Sequence, residues 1–236
     1  IRMNMQTQTV MVTGAAGNLG QAVAAAFAGQ GARLVLLGRD LQSLRATFGD
    51  EGADRLFLAA DLLDAGQVAS ALAAAVARFG RIDVLCNLAG GFRMGPAVHQ
   101  TPDSDWDFLL DLNAGTLLNM VRAVVPHMLE RGGGKVVNVG AFAAQKGMAG
   151  MGAYCAAKSS VMRLTEAMGA ELREKNINVN CVLPTIIDTP ENRAAMPGAD
   201  PARWVAPKDL ASVIVFLASD AARAIHGACL PVTGLS

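Results

Sequence analysis

Residues 13–20 read Thr-Gly-Ala-Ala-Gly-Asn-Leu-Gly, between an apolar run at Thr9–Thr13 and an alanine-rich stretch at Leu19–Ala28. The run predicts a buried strand and the stretch predicts a helix. Glycines three residues apart permit a tight turn, which lets N–H groups at the start of the helix face a diphosphate. A glycine triplet also suits an ordinary turn, but between a first strand and a first helix it indicates dinucleotide binding.

The same order of strand and helix repeats along the chain. Strands are predicted at Thr9–Thr13, Arg33–Leu37, Arg55–Ala59, Val84–Cys86, Lys135–Val139, Asn178–Val182 and Cys229–Val232. Helices are predicted at Leu19–Ala28, Leu41–Phe48, Ala65–Phe79, Asp105–Arg131, Ala153–Lys175 and Pro207–Ala218. Strands and helices alternate at intervals of roughly 25–30 residues, which predicts right-handed βαβ units. We therefore expect an α/β fold, a single doubly wound Rossmann domain over residues 1–236, whose parallel sheet has about seven strands and helices on both faces.

The composition narrows the class of protein. Of 236 residues, 52% are hydrophobic and 17% are charged, which excludes intrinsic disorder. Twenty basic residues balance twenty acidic ones without a Lys/Arg-rich run, so neither a nucleic-acid partner nor a membrane partner is expected. The cysteines form no Cys-x-x-Cys pair and the histidines do not fall at metal-ligand spacing. This pattern predicts that the chain has no metal site. It also predicts that the cysteines are free thiols in a reducing cytoplasm.

The segment Pro184–Ala206 has four prolines and no apolar period. A long irregular loop in a compact domain commonly covers a ligand, so residues 184–206 are expected to cover the substrate. Ala141 is expected to contact the substrate, and so are four larger apolar residues: Phe92, Met148, Met196 and Trp204. Those four would form an apolar lid over a flat ring, and packing inside the protein is the alternative role for each.

Tyr154, the only tyrosine in the chain, lies four residues before Lys158. On a helix the two side chains share one face. A free phenol has a pKa of about 10, and a neighbouring ammonium group favours the phenolate and lowers that pKa. The pair therefore predicts an acid–base site in which the pKa of Tyr154 is lowered.

Together these motifs resemble the short-chain dehydrogenase/reductase family over essentially the whole chain. The turn is similar to the family's Thr-Gly-x-x-x-Gly-x-Gly motif, Asp83–Gly90 to its Asn-Asn-Ala-Gly segment, and Tyr154 with Lys158 to its catalytic pair. Two departures are Asn18 at the middle glycine and Leu88 at the second asparagine. Asparagine tolerates positive φ better than most residues, so the turn is expected to survive.

The resemblance implies roles for individual residues. Tyr154 would donate a proton, Lys158 would tune Tyr154 and bind the nicotinamide ribose, and Asn113 would hold a proton-relay water. The residues expected to bind the cofactor are Gly14, Gly17, Asn18, Leu19, Gly20, Arg39, Asp61, Leu62, Asn87, Ala89, Gly90, Tyr154, Lys158, Pro184, Ile187 and Thr189. Asp61 has a second interpretation, as a cap for the helix that follows Asp64.

The end of the second strand distinguishes NAD from NADP. A carboxylate there would bind the adenine ribose hydroxyls and favour NAD. This sequence has Gly38 and Arg39, and a guanidinium group can bind a 2′-phosphate. NADP(H) is therefore favoured over NAD(H), with a solvated loop arginine as the alternative interpretation of Arg39.

The family's serine, thirteen residues before the tyrosine, is Ala141 here. Alanine cannot donate a hydrogen bond to the substrate oxygen, and losing one such donor costs about a hundredfold in rate or more. Dihydropteridine reductases also carry alanine there, and the segments Ala89–Phe92 and Leu183–Trp204 resemble that branch too. Those enzymes reduce a quinonoid dihydropterin, whose conjugated ring accepts hydride without the serine. They also bind NADH through an acidic residue that this chain lacks.

The sequence thus predicts an oxidoreductase that transfers hydride between NADP(H) and a C=O or conjugated C=N carbon, with a dihydropterin-like ring as one substrate. The first alternative is a reductase of ketones, hydroxysteroids or 3-oxoacyl thioesters. The second is an NADP(H)-binding regulator with little catalysis. The expected partners are a small-molecule substrate and further copies of the chain, because the corresponding helices of the family assemble homodimers or homotetramers.

Overall fold

A computed structural model of the chain describes residues 5–236, in which seven strands form one parallel sheet. The strands are β1 (Thr9–Val12), β2 (Arg33–Gly38), β3 (Arg55–Ala59), β4 (Val84–Asn87), β5 (Gly134–Val139), β6 (Ile177–Pro184) and β7 (Cys229–Val232). Their order in the sheet is β3-β2-β1-β4-β5-β6-β7. The order reverses between β1 and β4, which is the crevice where doubly wound folds bind ligands. The predicted Rossmann fold with seven strands is confirmed.

Eight α-helices connect or follow the strands. They are α1 (Asn18–Ala28), α2 (Leu41–Phe48), α3 (Ala65–Phe79), α4 (Asp103–Leu110), α5 (Thr116–Arg131), α6 (Gly152–Leu172), α7 (Pro190–Ala195) and α8 (Pro207–Leu217). Local interactions explain where several of these helices begin and end. The carboxylates of Asp40 and Asp64 accept backbone N–H groups at the starts of α2 and α3. Gly80 and Gly132 end α3 and α5 in the left-handed conformation.

The sheet has an apolar core on each face. Met11 points into one core, which contains buried residues of α3, α5 and α6. Its neighbours Val10 and Val12 point into the other, which contains buried residues of α1, α2 and α8. Alternate residues of one strand therefore serve both cores, which explains why the strands are continuously apolar in sequence.

The helix predicted at Asp105–Arg131 is interrupted. A π-helical turn, Asp111–Gly115, joins α4 to α5 and contains Asn113. The continuous stretch Asp103–Arg131 is long and apolar enough to cross a membrane by length and composition. In this fold the buried apolar side chains of α5 pack in the same core as strand residues, as expected of a core helix, and Leu109 of α4 packs against α6.

The segment 184–206 is more regular than predicted, and the expectation that it lacks secondary structure is wrong. Pro184 ends β6, and α7 begins at Pro190, where Thr189 caps the helix by accepting the Asn192 N–H. Proline suits a first helical turn. Further along, Val205 pairs with Ile187 in a single parallel bridge. The helix gave no apolar period because its residues are exposed or only half-buried.

Candidate active site

The turn after β1 brings two backbone segments into close contact. Gly14 has a φ of +62°, in the left-handed region that favours glycine. A Cβ at Gly20 would collide with the carbonyl oxygens of Gly14 and Ala15, so only glycine fits there. Within residues 5–236, no side chain caps the start of α1 and no acidic residue lies in its first turn. The N–H groups there are therefore free of a competing side-chain anion from that turn.

Thr13 fixes the position of the loop after β4. Its hydroxyl oxygen accepts the N–H groups of Leu88 (3.0 Å) and Ala89 (3.1 Å). This places Ala89 against Gly14, where an added Cβ would lie 3.2 Å from the Ala89 backbone. Thr13 was absent from the predicted site, although it opens the Thr-Gly pair of the turn.

The side chain of Asn18 connects the turn to α7. Its amide nitrogen donates to a carboxylate oxygen of Glu191 at 2.8 Å. Of the predicted residues at the carboxyl end of β6, Pro184 is buried and Ile187 is half-buried. Thr189 is half-buried and is used as the cap of α7. Glu191 was missed, because the sequence carries no signal for a contact across 173 residues.

The end of β2 presents an exposed cation. Arg39 is exposed, and no described residue forms an ion pair or hydrogen bond with its guanidinium group. The pKa of Asp40 is lowered chiefly by the Ser43 N–H and to a smaller extent by the charge of Arg39. Nearby, Asp61 accepts the Leu63 N–H at 2.9 Å, whereas Asp64 caps α3. The alternative interpretation of Asp61, as the cap of α3, is therefore wrong, and its role beside the cofactor stays a prediction.

Two of the three predicted catalytic residues, Lys158 and Asn113, lie close together, and Tyr154 shares helix α6 with Lys158. Lys158, on α6 with Tyr154, is 6% exposed and donates from Nζ to the Val139 carbonyl at 2.9 Å. Asn113 is 2% exposed. Its Oδ1 accepts the Gly91 N–H at 3.1 Å, while its Nδ2 donates to the carbonyls of Gly91 (3.0 Å) and Leu109 (2.9 Å). The π-turn therefore lets the Asn113 amide join α4 to the loop after β4.

Gly90 lies between Asn113 and Lys158. A Cβ at this glycine would be 2.8 Å from Asn113 Oδ1 and 3.1 Å from Lys158 Nζ. A side chain at position 90 would therefore fill the space that these two polar groups share. The same loop continues from Asn87, which is buried and donates to Asn138 Oδ1 at 2.9 Å.

The protonation of the catalytic pair follows from burial. Burial, with a smaller effect from Cys155, raises the pKa of Tyr154 to about 12. Burial also lowers the pKa of Lys158 to about 8. The predicted lowering of the Tyr154 pKa is therefore wrong for the ligand-free protein, because loss of hydration outweighs the ammonium group. At neutral pH the site holds a protonated phenol beside a largely protonated lysine.

The side of Tyr154 on which a substrate was predicted is apolar and exposed. The ring of Phe92 packs edge-on against Tyr154, with centroids 4.9 Å apart, although Phe92 is 57% exposed. Met148 is 46% exposed, whereas Ala141 is buried at the end of β5. Trp204 is only 7% exposed, which agrees with the alternative that it packs inside the protein.

A small cavity beside Tyr154 adds residues that were not predicted. It lies between the segments Arg93–Pro96 and Gly150–Tyr154. The Gly95 N–H donates to the Gly150 carbonyl at 2.8 Å, which holds the two segments together. Met94 and Met151 line this cavity, and no motif in the sequence pointed to either.

Comparison with known proteins relates this geometry to one family. A family model described as short chain dehydrogenase matches residues 8–199. A D-threitol dehydrogenase from Mycolicibacterium smegmatis is 37% identical over 96% of this chain and 92% of its own. A 3-oxoacyl-(acyl-carrier-protein) reductase from Thermotoga maritima is 30% identical over 98% of each chain.

Solved structures agree with the sequence comparison. A short-chain type dehydrogenase/reductase from Mycobacterium ulcerans has a TM-score of 0.91 and 27% identity, covering 99% of this chain and 90% of its own. A 3-ketoacyl-(acyl-carrier-protein) reductase from Brucella melitensis, solved with NADH, has a TM-score of 0.86 and 28% identity. That likeness covers 96% of this chain and 97% of the reductase.

Proposed function

The chain is an oxidoreductase that belongs to the short-chain dehydrogenase family, and we propose that it uses NADP(H) to reduce a C=O or conjugated C=N carbon. One observation carries the proposal: Asn113 and Lys158, which lie far apart in the sequence, meet beside Gly90, and Tyr154 shares helix α6 with Lys158. A proton donor, a buried cation and a fixed amide are the groups that a coupled transfer of hydride and proton requires.

The residues present fit a nicotinamide dinucleotide. The family uses NAD(P)(H), and the glycine turn after β1 leads into the start of α1, whose N–H groups have no side-chain cap in the described part of the chain and can face a diphosphate. When bound, the nicotinamide supplies the hydride in the reducing direction. Lys158 would hold the ribose, and Asn18 and the start of α1 would hold the diphosphate. The free guanidinium of Arg39 supports NADP(H), since it can pair with a 2′-phosphate.

Tyr154 moves the proton. Because its pKa is raised to about 12, the phenol is protonated at neutral pH and can donate from Oη to the substrate atom on which negative charge develops. Phe92, packed against its ring, keeps water from one side of the phenol. Lys158 supplies a positive charge that favours the phenolate left after transfer. Asn113 positions the relay, because both of its polar atoms are held by backbone groups.

We propose a flat conjugated ring, such as a dihydropterin, as the substrate. Ala141 offers no hydroxyl group to polarise a simple carbonyl, whereas a conjugated ring spreads the developing charge over several atoms. Phe92 and Met148 present exposed apolar surface suited to a ring. Met196, half-buried near α7, would complete this wall.

Consumption of NADPH and NADH, measured separately with quinonoid dihydropterin and with several simple ketones, tests both parts of the proposal. We expect faster turnover with NADPH, and faster turnover with the pterin than with the ketones. Rapid reduction of ketones without activity on the pterin would contradict the substrate proposal. Binding of NADPH without turnover of any compound would contradict catalysis itself.

A carbonyl reductase is the second candidate. The names of the relatives favour it, since they include a D-threitol dehydrogenase and a 3-oxoacyl-(acyl-carrier-protein) reductase. The substitution Ala141→Ser separates the candidates, because a hydroxyl group restores the donor that a carbonyl needs. A gain of about tenfold or more in kcat/KM for ketones would show that this donor was the missing element, and an unchanged value would favour the ring substrate.

We also propose that the chain forms homodimers or homotetramers. Three large apolar side chains of α4 and α5 are each more than 40% exposed: Trp106, Phe108 and Leu129. Such side chains on one continuous helical stretch are commonly covered by another molecule. Light scattering of the chain tests this proposal, which a monomer at micromolar concentration would contradict.

A further inference from the structure

Two of the four cysteines lie side by side. Cys181 on β6 pairs directly with Cys229 on β7 in the parallel ladder. Neighbouring strands are about 4.8 Å apart, and disulfides join residues whose Cα atoms are about 4.4–6.8 Å apart. Both side chains also point to the same face of the sheet, because both pack in the core that contains α6. In the reduced protein the Cys181 thiol donates to the Val182 carbonyl at 3.5 Å and the Cys229 thiol to the Met162 carbonyl at 3.9 Å.

The two thiols differ in access and acidity. Cys181 is fully buried, whereas Cys229 is only partly buried, near the exposed charged pair of Arg163 and Glu166. The neighbouring Cys181 thiol lowers the pKa of Cys229, whereas the Cys229 thiol and burial raise the pKa of Cys181. Cys229 is therefore the thiol that reacts first, because the thiolate is the nucleophile and Cys229 is the more accessible of the two.

The other two cysteines lack such a partner among the described residues. Cys86 is buried in the core on the opposite face of the sheet, and burial raises its pKa far above the usual value. Cys155 is buried on α6 and its thiol lies 3.6 Å from the Ala143 carbonyl. Any disulfide within one chain is thus expected only between Cys181 and Cys229.

Cys181 packs against the backbone segment that holds Lys158. A Cβ at Gly140 would be 3.0 Å from the Cys181 sulfur, so the thiol packs against the residue that follows Val139. The Val139 carbonyl accepts the hydrogen bond from Lys158, and the Gly140 N–H donates to Val182. A covalent link that moves Cys181 therefore moves the backbone that holds Lys158.

We propose that Cys181 and Cys229 form a reversible disulfide that lowers turnover when the protein meets a hydroperoxide. The Cys229 thiolate attacks the peroxide, so that a sulfur–oxygen bond forms, the oxygen–oxygen bond breaks, and hydroxide (or alkoxide) leaves. The Cys181 thiol then attacks the sulfenic acid and water leaves. In total two thiols are oxidised and one peroxide is reduced, and an added dithiol reverses the change.

Mass spectrometry of the full chain after hydrogen peroxide tests the link. We expect the free thiols to fall from four to two per chain, with a linked pair of peptides that contain Cys181 and Cys229 and that separate on reduction. NADPH turnover is expected to fall about tenfold, since small displacements of catalytic groups cost that much or more, and to return with the dithiol.

Two variants serve as controls. Cys229→Ala is expected to abolish the link and to protect turnover from peroxide, whereas Cys86→Ala is expected to form the link as the wild type does. Four free thiols after oxidation of the folded wild-type chain, or a link with undiminished turnover, would overturn the proposal. The predicted loss of turnover rests on the proposed function, whereas the formation of the disulfide does not. A linked chain without turnover in its reduced form would therefore count against the function alone.

Discussion

The catalytic region and the substrate region meet at Tyr154 but are built differently. Lys158 and Asn113 are almost fully buried, and every polar atom that defines their position is bonded to backbone. Phe92 and Met94, on the substrate side, are each more than half exposed and apolar. Buried polar groups must keep their partners, because losing one is costly, whereas exposed apolar groups have no such partners. The residues of this chain therefore indicate the type of reaction more directly than they indicate the substrate.

The largest effect is expected from Tyr154→Phe, which removes the proton donor and keeps the ring. Turnover should fall about a thousandfold, within the range for a general acid. The dissociation constant for NADPH should change less than the turnover does, because the phenol oxygen is one of many contacts. Steady-state kinetics and fluorescence titration measure the two quantities. If Tyr154→Phe kept most of the wild-type turnover, another group would have to donate the proton. The distinction between the two regions would then fail.

The second effect concerns Lys158→Met and the stability of the protein. The pKa of Lys158 is about 8 in the folded chain and 10.5 when unfolded. The unfolded chain therefore binds more protons between these values, and wild-type stability rises with pH across that window. The charge of Lys158 therefore costs the wild type up to about 3 kcal/mol at pH 7 and less than about 1 kcal/mol by pH 10. Lys158→Met removes this cost, while the Val139 carbonyl left without its donor offsets part of the gain.

Urea unfolding at both pH values measures the difference between the wild type and Lys158→Met. Turnover of the variant should be nearly abolished although it is the more stable protein. This outcome would sharpen the comparison, because it would show that the buried cation is kept for function at a cost in stability. A variant that is less stable than the wild type at pH 7 would contradict the account.

A smaller effect is expected from Arg39→Ala. Removing an exposed guanidinium should weaken NADPH binding about tenfold, as expected of a hydrogen bond to a charged group, and leave NADH binding unchanged. Arg45→Ala, an exposed arginine on α2, is the matched control and should affect neither cofactor. Titration calorimetry measures all four constants. An equal loss of affinity for both cofactors would show that Arg39 does not recognise the 2′-phosphate.

The smallest effect is expected on the substrate side. Phe92→Ala removes a ring that packs on Tyr154, so KM for a ring substrate should rise about threefold from lost apolar contact. Phe92→Leu keeps most of that apolar surface and should restore KM. A loss of turnover as large as that of Tyr154→Phe would break the distinction between the two regions.

The sequence allowed the fold and the catalytic pair to be predicted because both depend on short-range patterns. The apolar run and glycine turn of β1 and α1 lie within about 20 residues, and Tyr154 and Lys158 share one helix face. The π-turn around Asn113 was not predictable, since it depends on bonds to Gly91 from the loop after β4. The helix α7 was missed because an exposed short helix leaves no apolar period.

Long-range contacts explain the remaining errors. Thr13 binds backbone 75 residues away, and Asn18 contacts Glu191 across 173 residues. The predicted direction of the Tyr154 pKa was wrong for a similar reason. Spacing along a helix shows that Lys158 is near, but it does not show how strongly the surrounding chain removes water from the phenol.

Tyr154 is proposed as a partly buried proton donor, and the chain has no other tyrosine to obscure its ionisation. Absorbance at 295 nm therefore follows the ionisation of this one phenol, while circular dichroism verifies that the chain is folded. With a pKa of about 12, less than about a tenth of the phenol should ionise by pH 10.5 in the ligand-free protein. Half-ionisation at or below pH 10 would contradict the account.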